Sequence, residues 1–559
     1  MSTPRLERAT EEIYEALDRH AGNKSQAAKD LGIHRQTLKA LMDRAGISDK
    51  PMAGGQIKPL PMNVMPLPPK GQIQRYIVSS AQNNTKVHSR FVANLLAYKN
   101  WLESRDSAVP SVPLMISRFM YNKTAYNNHY LAKPGRKPTA TDSGEAWYDA
   151  AIEPYVCDDP ERHGSCRYQL APDLQWRADA NISPTAHDPL SGRQVDCGTH
   201  SGIFPHTKHH ISSQPHMQGE KPRFLYSTGT VTQMNYIQRN EGQKAEFHHV
   251  YSAMLVEVNS DGDWWARNLN ADCNGCFYDC PGGQVVKVNH GQVTTGHRTE
   301  GISWGDVHAS EIDPEVAVVN WGTPDNQCGA IDALRPKYQT MHDLFSMRSQ
   351  SHHDRNKFGE RYRKWFRGED IVLNEVDQTR DLVHLASRDF CQMVVVNSNH
   401  DRHGERWLDE ADFKVDLPNA RFYLLAQLAR LDAIEADDDE WTFLEWAMRQ
   451  RECPPVRFLR LDESLIIGPR NHPIECGLHG DLGPNGSRGS TRNLANLGRR
   501  NTKGHDHTAT VFQGTYSAGV CQLKMRYAKG PSSWSISHVL TYLNGKRAML
   551  TQRAGKLWA

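Results

Sequence analysis

The sequence has no run approaching the ~20 apolar residues that cross a bilayer as a helix, and its start, MSTPRLERATEEIYEAL, lacks the apolar core of a secretory signal. Both absences predict an intracellular, cytoplasmic protein with no membrane partner. Cysteine is sparse as well. Eleven in 559 residues, an odd number thinly spread, suit free thiols in a reducing compartment rather than a disulfide framework. Only Cys273, Cys276 and Cys280 cluster, and without a second pair they fall one ligand short of a structural zinc site. A cysteine-containing turn in a Gly- and Asp-rich hairpin is the better account of them. Net charge is almost absent: 66 Lys+Arg against 64 Asp+Glu, or +2, excludes a histone-like or acidic-tail protein as a whole. The length predicts several domains.

What is present begins with a helical pattern over residues 1–48. Ile13 and Leu17 share a face, Gly22-Asn23 breaks the helix, and Ala27 and Ala28 open a second apolar set. Gly32 takes a turn, Ile33 plugs the core, and Leu38, Leu41 and Met42 hold a further helix. Arg35, Gln36 and Lys39 are then free to face a groove. The pattern NxxxAAxxLGIxRxTL, here Asn23 to Leu38, resembles the three-helix, all-α DNA-binding domain of the Fis type. That resemblance implies DNA as a partner. Residues 1–50 hold nine Lys/Arg and eight Asp/Glu, too little excess for strong nonspecific phosphate binding, so tight DNA contact calls for a homo-oligomer. A protein-interaction module that dimerises without touching DNA is the alternative. Residues 49–72 are rich in Pro and Gly and read as a linker.

Residues 73–290 read as an α/β accessory region whose role stays open. A strand at Arg75–Ser80, a helix with Phe91, Leu95, Tyr98 and Leu102 on one face, and a second apolar run from Val112 to Tyr121 predict a βαβ unit. Its polar loop, Gln82–Thr85, lies where α/β sheets bind ligands, although such loops more often only turn the chain.

Residues 291–559 carry the chemistry. Five clusters each accompany a strand-like run: Asp306-Val307-His308, His342-Asp343, Asn399-His400-Asp401, His479, and His505-Asp506-His507. One such cluster means little. Together they supply carboxylates, an Asn carbonyl and several imidazoles, a set suited to two divalent transition metals.

The order DxH, D, NHD, H, GHDH resembles the calcineurin-like metallophosphoesterase superfamily over about residues 295–520. The resemblance implies an α/β (α+β) fold, a two-sheet β-sandwich flanked by helices. It also implies that Asp306, His308 and His507 hold one metal and Asn399, His479 and His505 another, with Asp343 bridging. His400 becomes the catalytic acid and Asp401 its orienting partner. Two divalent cations, Mn²⁺ foremost with Fe or Zn as alternatives, are the implied cofactors. The family's small residues before Asp343 and Asn399 are replaced by His342 and Ser398, which crowds both turns. The Asp343-Leu344-Phe345 motif is similar to that of the DNA repair nuclease branch, in which a following His contacts phosphate; here that position is Ser346. A basic insert follows, with adjacent His352-His353.

Charge along the chain selects the substrate. From Gly483 to Ala559 there are twelve Lys/Arg and one acid, so the near-zero total conceals a basic end running into the last histidine motif. Arg488, Arg492, Arg499 and Arg500 are the expected DNA contacts there, and Tyr516, Tyr527, Trp534 and Tyr542 could stack on bases, although aromatics in strand-like runs are more often core. The expectation is a metal-dependent deoxyribonuclease, similar to DNA-degrading metallophosphoesterases of tailed bacteriophages and so placed in the cytoplasm of a bacterial host. The alternatives are a phosphomonoesterase or cyclic-nucleotide phosphodiesterase of the same fold, or a noncatalytic DNA-binding regulator.

Overall fold

A computed structural model describes residues 12–13, 15–17, 19–20, 24–44, 62–105, 111–121, 147–157, 166–525 and 529–559. The chain divides into two compact units, residues 1–61 and 62–559.

In the first unit, helices Lys24–Asp30 and Arg35–Arg44 flank a short turn. Gly32 makes that turn at φ +64°, and the Ile33 N–H returns to the Ala28 carbonyl at 2.9 Å. Ile13, Ala16, Ala27, Ala28, Leu38 and Met42 form the core. The two alanines permit close helix crossing, and Arg35, Gln36 and Lys39 are exposed.

Residues 49–61 of the expected linker lie outside the described residues, and the linker does not extend to residue 72. Met62–Val64 is a strand pairing in parallel with Arg167–Gln169. It sits at the end of a sheet, the position that tolerates flanking prolines.

Among the described residues the second unit is mixed α/β with sheets of eleven, six, four and three strands. The predicted βαβ unit is present: Ile73–Gln82 and Leu114–Phe119 pair in parallel across helix Ser89–Arg105, whose Phe91, Leu95, Tyr98 and Leu102 are buried. Loop Gln82–Thr85 ties neighbouring segments together. Gln82 Nε2 donates to the Asn235 carbonyl at 2.8 Å, and Asn84 Oδ1 accepts from the Trp147 N–H at 2.8 Å.

The expected division at residue 290 does not separate two bodies. Ile211–Gln214 pairs with Thr510–Phe512 in the eleven-stranded sheet. One apolar cluster packs Tyr76, Trp176 and Met254 with Val511, Val539 and Met549. Local periodicity finds strands but carries no information about partners 300 residues away. Around the cysteine cluster, Phe277–Asp279, Val286–Asn289 and Gln292–Thr294 form an antiparallel sheet. Burial pushes the Cys276 and Cys280 thiols up to about 11 and about 12, and Cys273 is exposed.

The six-stranded sheet positions the histidine-rich segments. Strands Gly301–Ser303, Tyr338–Met341, Gln392–Val395 and Val456–Phe458 run parallel and in order. Parallel neighbours require crossovers, supplied here by helices that include Pro314–Trp321, Val372–Ala386 and Phe443–Arg449. Trp304, Trp321, Phe345, Val376 and Phe443 fill the resulting core. No helix among the described residues is long and apolar enough to cross a membrane.

Candidate metal centre

All the parallel strands point their carboxyl ends the same way, and open α/β sheets bind ligands there. Asp306 and His308 follow strand Gly301–Ser303, Asp343 follows Tyr338–Met341, and Asn399 and His400 follow Gln392–Val395. The other two clusters lie on a different sheet. His479 follows Ile474–Glu475, and His505 and His507 follow Asn501–Lys503, all in the eleven-stranded sheet. The site therefore joins strand ends of two sheets. A backbone bridge fastens the seam: Asp306 N–H donates to Gly519 O at 3.0 Å, and Cys521 N–H to Asp306 O at 2.9 Å.

The ligating atoms of Asp306, His308, Asp343 and His507 lie within 4.8 Å of one another, and all four residues are buried. His308 Nε2 is 3.2 Å from His507 Nε2, and His507 Nε2 is 3.1 Å from Asp306 Oδ2. The second group converges on one oxygen: Asn399 Oδ1 is 3.0 Å from His479 Nε2 and 3.1 Å from His505 Nδ1. Asp343 touches both groups, with Oδ2 3.7 Å from His308 Nε2 and Oδ1 3.3 Å from His479 Nε2.

This donor set fits divalent cations. Asp306 Oδ1 is buried with no hydrogen-bond partner among the described residues, a costly state for a carboxylate that faces no cation. Burial pushes His308 down to about 3 and His505 to about 4, so their neutral rings keep lone pairs at neutral pH. Against its burial, Asp343 is held well below the usual carboxylate range by the charges of His479 and His400.

The backbone at the ligands is unusual. His308, Asp343, His505 and His507 have φ of 48°, 45°, 73° and 54°, the left-handed region in which non-glycine residues are uncommon. Such conformations persist where surrounding contacts enforce them, and they gather at functional sites. Ser398 enforces one of these: its Oγ accepts the Asp343 N–H at 2.9 Å and donates to Val396 O at 2.8 Å. The expected crowding at that turn is thus a bond that sets it.

His342 is accommodated differently. Its ring is buried against His479, centroids 5.7 Å apart, opposite Gly504. A Cβ on Gly504 would lie 2.9 Å from His342 Cβ and 2.2 Å from Asp306 Oδ1. Gly504→Ala should therefore displace Asp306, with an overpacking penalty of about 1–3 kcal/mol. Lower metal occupancy and a lower melting temperature than wild type are expected; an unchanged pair of values would show the turn can relax.

With this geometry in place, comparison with known proteins gives two results. Residues 9–43 match the family described as bacterial regulatory protein, Fis family. The chain is 36% identical over 502 residues to "Protein A1" of Escherichia phage T5, covering 87% of this chain and 83% of that protein. The chain belongs to the protein A1 family. No solved structure matches it.

In this protein A1 family member, residues 9–43 are a Fis-type DNA-binding helix-turn-helix. The remaining expected site residues divide. His400 lies at the site, its N–H 3.3 Å from Asp343 Oδ1 and its ring centroid 4.8 Å from that of His308. Asp401 does not orient that ring: its Oδ1 accepts the Phe345 N–H at 2.9 Å, and His400 Nδ1 has no hydrogen-bond partner among the described residues. The adjacent backbone donor wins because it binds the turn of the Asp343 motif to that of the Asn399 motif. His352 and His353 stand beside His403, which is 4.7 Å from His400.

The arginines expected on DNA are exposed, yet three have carboxylate partners. Arg488 pairs with Asp506 at 3.5 Å, Arg492 with Asp188, and Arg499 with Glu475 at 3.4 Å. Arg500 Nη1 lies 2.7 Å from His472 Nδ1. Part of the C-terminal positive charge is internal, since Lys503, Arg547 and Arg553 are buried. Tyr516 and Tyr542 are core residues, which removes them as base-stacking surfaces, and Tyr527 lies outside the described residues.

Three supporting residues were not singled out from sequence for these roles. Trp534 packs edge-on to His507 at 4.5 Å. Arg402 donates to Asn397 Oδ1 at 2.6 Å and to Asp481, linking the Asn399 and His479 loops. Ser346 Oγ is 2.9 Å from His308 Nδ1, and by accepting the Nδ1 proton it would leave Nε2 for a cation. Ser346→Ala should weaken metal affinity by about 10–100-fold. Competition against a fluorescent chelator measures this, and wild-type affinity would remove Ser346 from that role.

Proposed function

We propose that this protein is a divalent-metal-dependent nuclease that hydrolyses DNA phosphodiester bonds at a binuclear centre. The observation that carries the reading is Asp343, whose two oxygens each face a separate group of imidazole ligands. Asp306, His308 and His507 would hold one cation and Asn399, His479 and His505 the other, in a metallophosphoesterase-like arrangement of two sheets. Bound cations, with Mn²⁺ the first candidate, would supply charge for phosphoryl oxygens and acidify water at the site. The chain's own part is to keep His308 and His505 neutral, to fix the ligand turns, and to place the His400 ring beside them as proton donor to the departing oxygen. The helix-turn-helix brings the chain to DNA, with Arg35, Gln36 and Lys39 as contacts. A homo-oligomer would supply the second recognition helix.

The test is incubation of the purified chain with Mn²⁺ and linear, nicked or supercoiled DNA, with p-nitrophenyl phosphate in parallel. DNA cleavage that EDTA abolishes is expected. Turnover of the small ester with intact DNA would instead identify a phosphomonoesterase, and inertness toward both would leave a DNA-binding regulator.

A further inference from the structure

The eleven-stranded sheet and its neighbours also wall a cavity of about 500 Å³ that the metal chemistry does not use. Lys208, Arg499, Arg500, Lys546 and Arg547 line it, and its lining contains no aspartate or glutamate. So many cations in one recess repel each other unless something neutralises them. Among the described residues Arg499 is the one of these five in an ion pair, with Glu475 at 3.4 Å, while Asp188 acts on Lys208 from farther off. Among the described residues Lys546 Nζ meets no carboxylate, and Lys208 Nζ donates to the Ala186 carbonyl at 2.6 Å. Arg547 donates to the carbonyls of Asn501 and Gly514 with its guanidinium 3.9 Å from the Tyr516 ring centre. Burial and the charge of Arg500 push the Lys546 ammonium down to about 8 against the opposing pull of Asp272, the direction expected where burial and neighbouring cations outweigh the nearest acid.

Two further features describe the ligand. His209, also in the lining, is buried; its Nδ1 is 3.0 Å from Tyr516 Oη, but its Nε2 has no hydrogen-bond partner among the described residues. Phe247 lines the cavity too and is 79% exposed, so its ring packs against little of the protein itself. A recess within the ~300–1,000 Å³ range of small-molecule sites holds one nucleotide-sized ligand. It does not hold a duplex, whose major groove alone is ~12 Å wide.

We propose that this cavity binds a free nucleoside phosphate, with the phosphate among Lys546, Arg500 and Arg547 and the base against Phe247. The site is separate from the metal centre: Arg500 precedes strand Asn501–Lys503 and His505 follows it, a span on the order of 16 Å for extended chain. It does not rest on the nuclease reading.

Calorimetric titration of the full chain in EDTA tests this with dAMP, dCMP, dGMP, dTMP, inorganic phosphate and deoxyadenosine. At least one nucleotide should bind at roughly one per chain, ~10-fold or more tighter than inorganic phosphate or the nucleoside, since charge-assisted bonds and stacking add. Lys546→Ala should weaken that binding ~10-fold or more. Phe247→Ala, at an exposed position that cannot unfold the chain, should weaken the nucleotide and leave inorganic phosphate unchanged. No nucleotide binding, or phosphate binding as tightly as every nucleotide, overturns the proposal. So does binding that Asp343→Ala abolishes while Lys546→Ala and Phe247→Ala leave it intact, because the nucleotide would then occupy the metal centre. No arm reads turnover, so failure here and failure of the nuclease reading are separable.

Discussion

Asp343→Ala is expected to remove bound metal from both ligand groups and to lower DNA cleavage by at least ~10³-fold, because stabilisation of developing charge is usually the largest catalytic term. The carboxylate is 1% exposed and stands between His308 and His479, in reach of both groups. Loss of Asn399 or His505 touches one group only and should leave a single, weaker metal. Metal analysis on the two kinds of variant distinguishes them; equal residual metal in both would defeat the bridging role.

Proton competition adds a pH signature to the same residue. Asp343 overcomes burial to raise His479 to about 9, so without metal the ring is protonated at neutral pH. A raised histidine pKa stabilises the fold fully below its unfolded value of ~6.5, and that contribution is lost as pH rises through about 9. Metal binding requires the neutral ring, so affinity should rise across the same window while metal-free stability falls. Asp343→Ala should flatten both trends.

The clusters that meet at the candidate centre were legible because each follows a strand-like run. The βαβ unit was legible because its apolar periodicities are local. Pairing of Ile211–Gln214 with Thr510–Phe512 was not, since nothing in either segment encodes its partner. Nor was the left-handed backbone at His308, Asp343, His505 and His507, where cross-strand and side-chain bonds override ordinary preference. Charge counting misled in one respect: Lys503, Arg547 and Arg553 add to the basic total yet are internal, with Lys503 2.7 Å from Asp506.

His400→Ala is expected to reduce DNA cleavage by ~10²–10⁴-fold, the usual contribution of a positioned general acid, while metal content stays at the wild-type level. The separation follows from geometry. His400 reaches the ligands through its backbone N–H on Asp343 Oδ1, a bond alanine retains, and its ring lies beside His308 without entering the four-residue ligand group. Asp401→Asn supplies the control. Burial and the charge of Asp343 push Asp401 up to about 8, so its side chain is largely protonated at neutral pH and asparagine is close in shape and charge. The oxygen that accepts the Phe345 N–H is also kept. Activity should therefore remain within about tenfold, a change of under ~1.4 kcal/mol in the barrier. A loss in Asp401→Asn as large as that in His400→Ala would mean that the pair works as a unit and that the His400 ring turns to meet Asp401 during catalysis. Reduced metal content in His400→Ala would instead make it a ligand.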